Sequence, residues 1–304
     1  MRTLSIILLI TINYNIKAQK LHCGGWNKCE NEETLLANEK LIEVTNTRKK
    51  ELKKIHIPYG KPRDFNNDLI MLIHEDFIIG YDTVLNIPLW VSYLLTSEWA
   101  KDTLFRKDCF RDDPRLRENS NQETCKIYSG SGYDRGHLAP RNDFNRSRTA
   151  QLNTFIFSNI VPQFPKHNRN TWKYLEHYIN EKTKEKGLDS LIIVTGVIFD
   201  HDYDNKPDEK NRIPMISESR PLPVASDFYK IILEKNNDST FKALAIIIPH
   251  ENIKRKEYES LAYIESDCLT SIDIIEKKTG INFFYLLENY IEDVLEAKTS
   301  STLW

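Results

Sequence analysis

The sequence predicts an α+β fold in which a central antiparallel β-sheet is flanked by helices. Short apolar runs rich in β-branched residues recur along the chain, and segments of helical periodicity separate them. No internal repeat or low-complexity linker divides the 304 residues. One folded domain preceded by a short N-terminal arm is therefore the simplest organisation.

Residues 1–18 predict a cleaved signal peptide. Arg2 precedes an apolar run over residues 4–12, and Ala18 ends a suitable cleavage site. The run is about half of the ~20 apolar residues that a membrane-spanning helix needs, and no later stretch approaches that length. We therefore expect an exported protein, secreted or periplasmic, with no membrane partner. The alternative is an ordinary buried N-terminal strand.

Residues 19–60 predict an N-terminal helical arm, and residues 61–304 predict the main domain. Apolar positions at helical spacing over residues 31–55 lead to a chain break at Pro58. From Leu69 the pattern changes to short β-rich runs, which read LIMLI, FIIGY and PLWVSYLL. Two or three antiparallel strands fit these runs best.

The second half of the chain begins with a helix and continues with strands. Residues 171–186 place Trp172, Leu175 and Ile179 on one helical face, and Gly187 ends the pattern. Because these three positions share one face, we expect Trp172 to pack in the core. Three strongly strand-like runs follow, LIIVTGVIF, DFYKIIL and ALAIIIP.

Two more helices are predicted near the C-terminus. Thr270 lies three residues before Asp273, a spacing typical of a capping box, and Gly280 is suited to end that helix. A last helical stretch runs through Leu286 and Val294.

The five cysteines contain no CxxC pair, which gives a zinc ribbon or a thioredoxin-type motif no support. Export would permit disulfides. The pairs nearest in sequence are Cys23 with Cys29 and Cys109 with Cys125, which leaves Cys268 free. The second pair would close a polar loop over residues 106–131, but spacing alone does not fix the connectivity.

Composition excludes some classes of protein and leaves function open. Hydrophobic residues make up 40% and charged residues 28%, which argues against wholesale disorder and against a multi-span membrane protein. The formal net charge is -2, so any attraction to a polyanion must be local. Over residues 135–173 there are seven basic residues against one acidic residue, a local excess of +6. This stretch predicts a surface that binds phosphates without regard to sequence, although a solvated face is the alternative.

The segment YDRGH over residues 133–137 carries groups suited to phosphodiester hydrolysis. That reaction needs a base for water and cations that stabilise charge on the phosphate and on the leaving oxygen. The ordinary pKa of an imidazole is about 6.5, so His137 can be neutral at working pH and accept a proton from water. Arg135 stays charged and offers a planar fork to phosphate oxygens.

Asn168 and Glu176 are the candidate metal-site residues. Magnesium takes few protein ligands and keeps several waters, so one amide oxygen from Asn168 suffices. Glu176 lies eight residues later, about 12 Å along an ideal helix, and is expected to act through a metal-bound water. His167, with no second zinc-type ligand at suitable spacing, is expected at the surface.

Together these segments resemble the DNA/RNA non-specific endonuclease family, which includes endonuclease G and the secreted Serratia-type nucleases. The resemblance covers roughly residues 69–287 and is carried by YDRGHLAPRNDF, SNIVPQ, HNRNTWKYLE, VTGVIF, DFYKIIL and IDIIEKKTGINFF. It implies a ββα-metal, or His-Me finger, nuclease fold. It also implies an endonuclease that cleaves DNA and RNA without sequence preference, uses Mg²⁺ with Mn²⁺ as a substitute, and leaves 5′-phosphate ends.

The resemblance also implies roles for individual residues. His137 matches the catalytic base, Asn168 the metal ligand and Glu176 the residue that holds the metal's water shell. Arg135 and Asn159 match phosphate-site residues, although a buried amide that satisfies backbone groups is an equal alternative for Asn159.

Two positions depart from the family's pattern. Asn180 stands where members often carry an arginine one turn after the helix glutamate. A further family arginine matches either Arg106 or Arg111.

Other functions remain open at this stage. The family resemblance implies DNA and RNA as substrates and a homodimer as the assembly. A catalytically inactive nucleic-acid-binding homologue would have little reason to keep the four residues His137, Arg135, Asn168 and Glu176 together. An exported toxin or effector held off by a cognate protein inhibitor is compatible with the signal peptide.

Overall fold

The computed structural model describes residues 32–65, 69–101, 104–116, 127–185, 190–217, 221–236, 238 and 240–303. The α-helices are α1 (Glu32–Ile42), α2 (Asn46–His56), α3 (Ser97–Lys101), α4 (Arg148–Asn153), α5 (Lys173–Lys184), α6 (Glu257–Tyr263), α7 (Ile272–Thr279) and α8 (Asn289–Ala297). The strands are β1 (Arg63–Asp64), β2 (Ile70–Ile73), β3 (Ile78–Asp82), β4 (Ile87–Thr96), β5 (Asp134–His137), β6 (Ile160–Gln163), β7 (Ser190–Ile198), β8 (Asp227–Lys235), β9 (Phe241–Pro249), β10 (Leu269–Thr270) and β11 (Ile281–Asn282). Two π-helical turns, His167–Trp172 and Ile264–Cys268, adjoin α5 and α6.

A seven-stranded antiparallel sheet forms the centre of the fold, in the order β10-β9-β8-β7-β4-β3-β2. The predicted fold class is confirmed, and so are the strands predicted from the apolar runs. Strands β4, β7 and β8 are buried along nearly their whole length, which requires cover on both faces of the sheet. This burial explains why these strands read as continuous apolar runs.

Alternating residues of β8 show what covers each face. Phe228 packs against Trp172, with their ring centroids 5.5 Å apart. One face of the sheet is therefore covered by the π-helical turn that leads into α5. Tyr229 points the other way and packs against Phe283 at 5.8 Å, beside β11. Trp172 is only 1% exposed, as predicted for a core residue.

The N-terminal arm differs from the predicted single helical segment. Thr45 ends the first helical segment and caps α2, because its hydroxyl accepts a hydrogen bond from the backbone N–H of Arg48 at 3.2 Å. The side chain of Arg48 binds Glu75 with a 2.7 Å ion pair, and His56 hydrogen-bonds to Glu75 and Leu94. The arm therefore docks on the sheet through α2.

The C-terminal helices begin later than predicted. The N-cap of α7 is Ser271, whose hydroxyl accepts from Ile274 N–H at 3.3 Å, so the predicted capping box at Thr270 is wrong. Thr270 belongs to β10, where its backbone is extended. Gly280 does end α7, with a φ of 70° that favours glycine. Helix α8 starts only at Asn289.

Several predictions lie outside the described residues, namely the signal peptide over residues 1–18 and the cysteines Cys23, Cys29 and Cys125. The disulfide pairs therefore stay predictions. Cys268 is buried and free, as predicted. No helix among the described residues has the length and hydropathy that a membrane span requires.

Candidate active site

The candidate active site is built on a two-stranded ribbon followed by a helix. Strands β5 and β6 pair antiparallel, with His137 opposite Ile160 and Asp134 opposite Gln163. The chain then enters the π-helical turn His167–Trp172, which continues directly into α5. Because β5 starts beside the beginning of this helix, where Asp134 contacts Asn168, side chains from both elements line one cleft.

A close contact between the two strands requires glycine at position 136. A Cβ atom at Gly136 would lie 2.1 Å from Oε1 of Gln163, which is a sub-van der Waals distance. Gln163 is fully buried and cannot move aside into solvent. The glycine of the motif is therefore needed for the packing that sets the position of the adjacent His137.

The cleft has a volume of about 550 Å³ and is lined mainly by polar and charged side chains. Four of the five predicted site residues are among them, so the structure brings these four together. The lining residues are Arg106, Phe110, Asp134, Arg135, His137, Pro140, Arg141, Asn142, Asn168, Arg169, Lys173 and Glu176.

His137 has a neutral imidazole that lines the cleft. Its ring packs edge-on against Phe155 at 4.9 Å and lies 5.6 Å from the ring of Phe110. Burial lowers the pKa of His137 to about 3, and the positive charge of Arg106 adds to this effect. Its Nε2 has no hydrogen-bond partner among the described residues. The ring can therefore accept a proton at neutral pH.

Asn168 lies in the first part of the π-helical turn and is oriented by Asp134. Its Nδ2 donates a hydrogen bond to Asp134 Oδ2 at 2.9 Å. The other Asp134 oxygen accepts from Arg169 at 2.5 Å, so the carboxylate is held in place from both sides. Since the amide nitrogen is engaged, the carboxamide oxygen of Asn168 remains as a ligand for a cation.

The π-helical turn helps to bring Asn168 and Glu176 to the same cleft. In a regular α-helix, residues eight positions apart are rotated by roughly 80° about the axis. A π turn contains more residues than an α turn, which reduces the rotation between its residues. The predicted helix therefore begins with a π-helical turn, and this turn favours a position of Asn168 and Glu176 on the same face.

Glu176 is a buried carboxylate near a buried lysine. Its Oε1 has no hydrogen-bond partner among the described residues. Burial raises the pKa of Glu176 to about 8; Lys230 on β8 acts to lower this pKa, and Asp143 acts to raise it. Lys230 is 1% exposed, and its Nζ lies 4.7 Å from the centroid of the Trp172 ring. The wall behind the cleft therefore contains a positive charge next to the carboxylate.

Asn180 contributes to the same wall without replacing the missing family arginine. Its Nδ2 donates to Asp143 Oδ1 at 3.0 Å, and Tyr93 donates to the other oxygen of Asp143 at 2.8 Å. Asn180 is neutral, so it does not supply the positive charge of the family arginine. A lysine, Lys230, reaches this wall from strand β8 instead.

The arginines near the site are of two kinds. Some line the cleft, and one is buried and holds two parts of the chain together. Arg135 lies over the rings of Phe110 and Tyr128, with its guanidinium carbon 5.2 Å and 5.8 Å from their centroids. Arg106 also lines the cleft. Arg111 is instead buried and donates to Asn38 at 2.8 Å, which ties the loop to α1. Of the two arginines that the sequence left as alternatives, Arg106 lines the cleft and Arg111 does not.

Asn159 does not contact the cleft, which corrects its prediction as a phosphate-site residue. Its side chain is completely buried. The Oδ1 atom accepts from Ala139 N–H at 2.9 Å, and Nδ2 donates to the carbonyl groups of Ala139 and Thr154. All of its polar atoms therefore satisfy backbone groups of the turn after β5, which was the alternative role.

His167 is buried, so the prediction that it lies at the surface is wrong. It is 2% exposed and packs among Trp172, Phe228 and His250, with the ring of Phe228 4.9 Å away. Burial lowers its pKa to about 3. The residue is a neutral part of the core beneath the π-helical turn.

The predicted basic surface is smaller than the sequence count indicates. Arg146 forms an ion pair with the buried Asp76, and Arg148 donates to Phe105 and Gln151. Arg169 is neutralised by Asp134. Of the seven basic residues counted over residues 135–173, those that line the cleft are Arg135, Arg141, Arg169 and Lys173.

Sequence reasoning missed Asp134 and Lys230 as site residues and left Arg106 and Arg111 as alternatives. Asp134 is part of the quoted motif, so its position next to Arg135 was an available signal. Lys230 interrupts the apolar run of β8 at a buried position, and a charged residue within such a run indicates a partner. Nothing in the local sequence distinguishes Arg106 from Arg111.

A ββα arrangement with an available imidazole, two oxygen donors and several arginines in one cleft defines the chain as a nuclease of the ββα class. Comparison with protein families agrees: the model for "DNA/RNA non-specific endonuclease" matches residues 57–289, which is more than half of the chain. The chain belongs to the DNA/RNA non-specific endonuclease family.

Individual relatives are of two kinds. A "Nuclease" from Nostoc sp. is 28% identical over 252 residues, which cover 81% of this chain and 86% of that protein. "Ectonucleotide pyrophosphatase/phosphodiesterase family member 3" from Bos taurus is 24% identical over 278 residues, 85% of this chain and 32% of that protein. "Venom phosphodiesterase" from Naja atra is 26% identical over 296 residues, 90% of this chain and 35% of that protein. The chain thus spans about a third of the length of these two phosphodiesterases.

Proposed function

We propose that the chain is an exported endonuclease that hydrolyses DNA and RNA without sequence preference, assisted by Mg²⁺ and by His137 as general base. One observation carries this proposal. The imidazole of His137 lines the same cleft as Asn168 and Glu176. The family membership and the similarity to the Nostoc nuclease support the same reaction class.

The donor set fits magnesium. Asn168 offers its carboxamide oxygen because its nitrogen is bound to Asp134, and Glu176 has a buried oxygen without a partner among the described residues, which would accept a hydrogen bond from a metal-bound water. Mg²⁺ takes one or two such protein ligands and retains several waters. When bound, Mg²⁺ would supply positive charge to the phosphate oxygens and the leaving oxygen. Mn²⁺ has the same preference for oxygen and would substitute.

His137 removes the proton from the attacking water. The water oxygen forms a bond to phosphorus, the bond from phosphorus to the 3′ oxygen breaks, the water proton passes to the imidazole of His137, and the leaving 3′ oxygen takes up a proton from solvent water. The products carry a 5′-phosphate and a 3′-hydroxyl. A bound phosphodiester brings negative charge near the ring, which raises the pKa of His137 and makes it a stronger base.

Arg135 and Arg106 stabilise the charge that develops on the phosphate. Both guanidinium groups stay protonated at any relevant pH and offer several N–H donors to phosphate oxygens. Arg135 is pre-positioned by its contacts with the rings of Phe110 and Tyr128. Groups that are already oriented stabilise a transition state without reorganising at the moment of reaction.

The biological setting rests on the sequence. Export through the signal peptide over residues 1–18, the arm over residues 19–60 and the homodimer stay predictions. So does an effector role with a cognate inhibitor. Binding to nucleic acid without cleavage is the competing function, and the following experiment separates it from hydrolysis.

The central test is His137→Ala, with His177→Ala as the matched control. His177 is an exposed histidine of α5 that pairs with Glu181, so its loss leaves the cleft unchanged. We expect His137→Ala to lower the cleavage rate of plasmid DNA and of RNA roughly a hundred- to ten-thousandfold, the usual contribution of a general base. His177→Ala should cleave at the wild-type rate, and both variants should melt near the wild-type temperature.

Full activity in His137→Ala would remove the histidine from the mechanism. An inactive wild type that still binds DNA would favour the binding function instead. Chelation of divalent metal should also stop cleavage, and Asn168→Ala should raise the Mg²⁺ concentration needed for half-maximal rate. An unchanged metal requirement in Asn168→Ala would exclude this residue as a ligand.

A further inference from the structure

Three carboxylates meet between helices α7 and α8, away from the cleft. Asp273 and Glu276 lie on α7, and Glu296 lies on the last turn of α8. Each residue offers an oxygen that lies within 4.8 Å of the oxygens of the other two. Carboxylates at such distances repel one another unless a proton or a cation lies between them.

Glu296 is the residue that marks this group as unusual. It is 5% exposed, and its Oε1 is buried without a hydrogen-bond partner in the part of the chain that the structure describes. A buried carboxylate oxygen without a partner carries a large desolvation cost. Since its side chain points into the group, a ligand bound there would remove this cost.

In the described part of the chain, no cationic side chain forms an ion pair with these carboxylates. Among the described residues, none of the three carboxylates forms an ion pair, and Glu276 Oε1 only accepts from Phe283 N–H at 2.6 Å. The charged neighbours that act on Glu296 are Glu276, Glu292, Asp273 and Asp293, all of them carboxylates. Burial and this repulsion raise the pKa of Glu296 to about 9 and that of Glu276 to about 7.

A second acidic group in the fold differs in this respect. Asp200, Asp202 and Asp204 also come within 4.8 Å of one another. There, however, Lys278 forms an ion pair with Asp200, so the buried carboxylate already has a counter-charge. The group between α7 and α8 is therefore the stronger candidate for an external cation.

We propose that Asp273, Glu276 and Glu296 bind a calcium ion that fastens α8 to α7. Calcium prefers carboxylate oxygens at 2.3–2.6 Å, so oxygens on opposite sides of the ion are about 4.6–5.2 Å apart. The oxygens of the three residues all lie within 4.8 Å of one another, so one calcium ion can contact all three. Magnesium demands a near-ideal octahedral arrangement and usually keeps several waters with one or two carboxylates, so a group of three carboxylates favours calcium. Bound calcium would join the C-terminal helix to the helix that follows the sheet.

The test measures the melting temperature of the full chain in EGTA and in CaCl₂, at a constant Mg²⁺ concentration that keeps the cleft in one state. We expect calcium to raise the wild-type melting temperature by about 5 °C at a hundredfold excess over Kd. Glu296→Gln should lose this rise, and calorimetric titration should show at least a tenfold weaker affinity. Asp293→Asn, an exposed carboxylate of the same helix, is the matched control and should keep the rise.

The design separates loss of binding from loss of folding. Glu296→Gln removes a repelling charge, so in EGTA it should melt at or above the wild-type temperature. A wild-type protein without a calcium response would overturn the proposal, as would an equal response in Glu296→Gln. A response that disappears in Asp202→Asn but persists in Glu296→Gln would assign the ion to the other acidic group and would also overturn it.

Discussion

Lys230 and Glu176 show how one buried charge sets the protonation of another. Glu176 can hold a cation's water shell only when it is ionised, yet burial raises its pKa to about 8. Lys230 acts against this rise, although burial lowers its own pKa. Its ammonium has no hydrogen-bond partner among the described residues, so its contribution to the site is electrostatic.

Lys230→Met should weaken the response to metal without unfolding the protein. Loss of the ammonium removes an influence that lowers the pKa of Glu176, so this pKa should rise further and less carboxylate should be ionised at pH 7. A rise of about one pKa unit corresponds to roughly a tenfold higher Mg²⁺ concentration for half-maximal cleavage. The defect should shrink as the pH is raised, since Glu176 then ionises.

The matched control is Lys235→Met, the same substitution at the exposed end of β8. It should leave the metal requirement and the pH profile unchanged. A Lys230→Met protein with a wild-type metal requirement at pH 7 would show that Lys230 serves only to fill space.

At the scale of single residues, the motifs predicted the side chains that line the site but not the residues that act on them from other elements. His137, Arg135, Asn168 and Glu176 could be placed because each belongs to a segment with a recognisable pattern. Lys230 could not, because it enters the site from a strand fifty-four positions beyond Glu176. Asn159 shows the opposite error: a side chain in a functional motif serves the backbone of the neighbouring turn.

At the scale of elements, helix α2 is attached to the sheet through a neutral histidine at its last residue. Leu94 N–H donates to Nδ1 of His56 at 3.2 Å, so the proton resides on Nε2, which donates to the carbonyl of Glu75 at 3.1 Å. The residue is 1% exposed, and burial lowers its pKa to about 4. Protonation would disrupt the bond to Leu94 and leave a charge in the core.

This arrangement predicts a loss of stability in acid that His56→Gln abolishes. The unfolded histidine has a pKa of about 6.5, so as pH falls the unfolded chain takes up the proton before the folded chain does. The contribution of neutral His56 to the free energy of unfolding is complete above pH 6.5 and is lost progressively as pH falls towards 4. At pH 5 the loss is about 2 kcal/mol, from 1.5 pH units at about 1.36 kcal/mol each.

Glutamine keeps one donor and one acceptor but does not titrate. Urea unfolding at pH 7.5 and pH 5 should show the difference in unfolding free energy between wild type and His56→Gln decrease by about 2 kcal/mol at the lower pH. A difference that is the same at both pH values would mean that His56 has the same pKa in the folded and the unfolded chain.

The sheet and most helices could be predicted from periodicity, because burial alone decides these patterns. The strands of the central sheet are apolar along most of their length, and the face of α5 with Leu175 and Ile179 is regular. The π-helical turn could not be predicted, since no periodicity distinguishes it from the start of an α-helix. The division of the arm into two helices depends on a single side chain, that of Thr45.

At the scale of the whole molecule, charge is distributed unevenly. The net charge is -2, but the cleft contains four arginines and a lysine against two carboxylates. The sequence predicted this local excess. The sequence could not show which basic residues would face a polyanion, because Arg146 and Arg148 bind other side chains of the fold. The cleft and its rim therefore keep a positive excess that a polyanion can contact.

Because phosphate contacts release counterions from DNA, this surface predicts a steep salt dependence of binding. With about four phosphate contacts, the affinity should fall roughly a hundredfold between 50 and 200 mM salt, at a slope of about −0.9 per contact. Lys173→Gln should reduce the slope by about 1, since Lys173 is exposed at the cleft rim. Lys184→Gln, on the same helix but outside the cleft, is the matched control and should keep the wild-type slope. Duplex DNA binding in EDTA, which prevents cleavage, measures both slopes, and equal slopes in the two variants would place the nucleic acid elsewhere on the molecule.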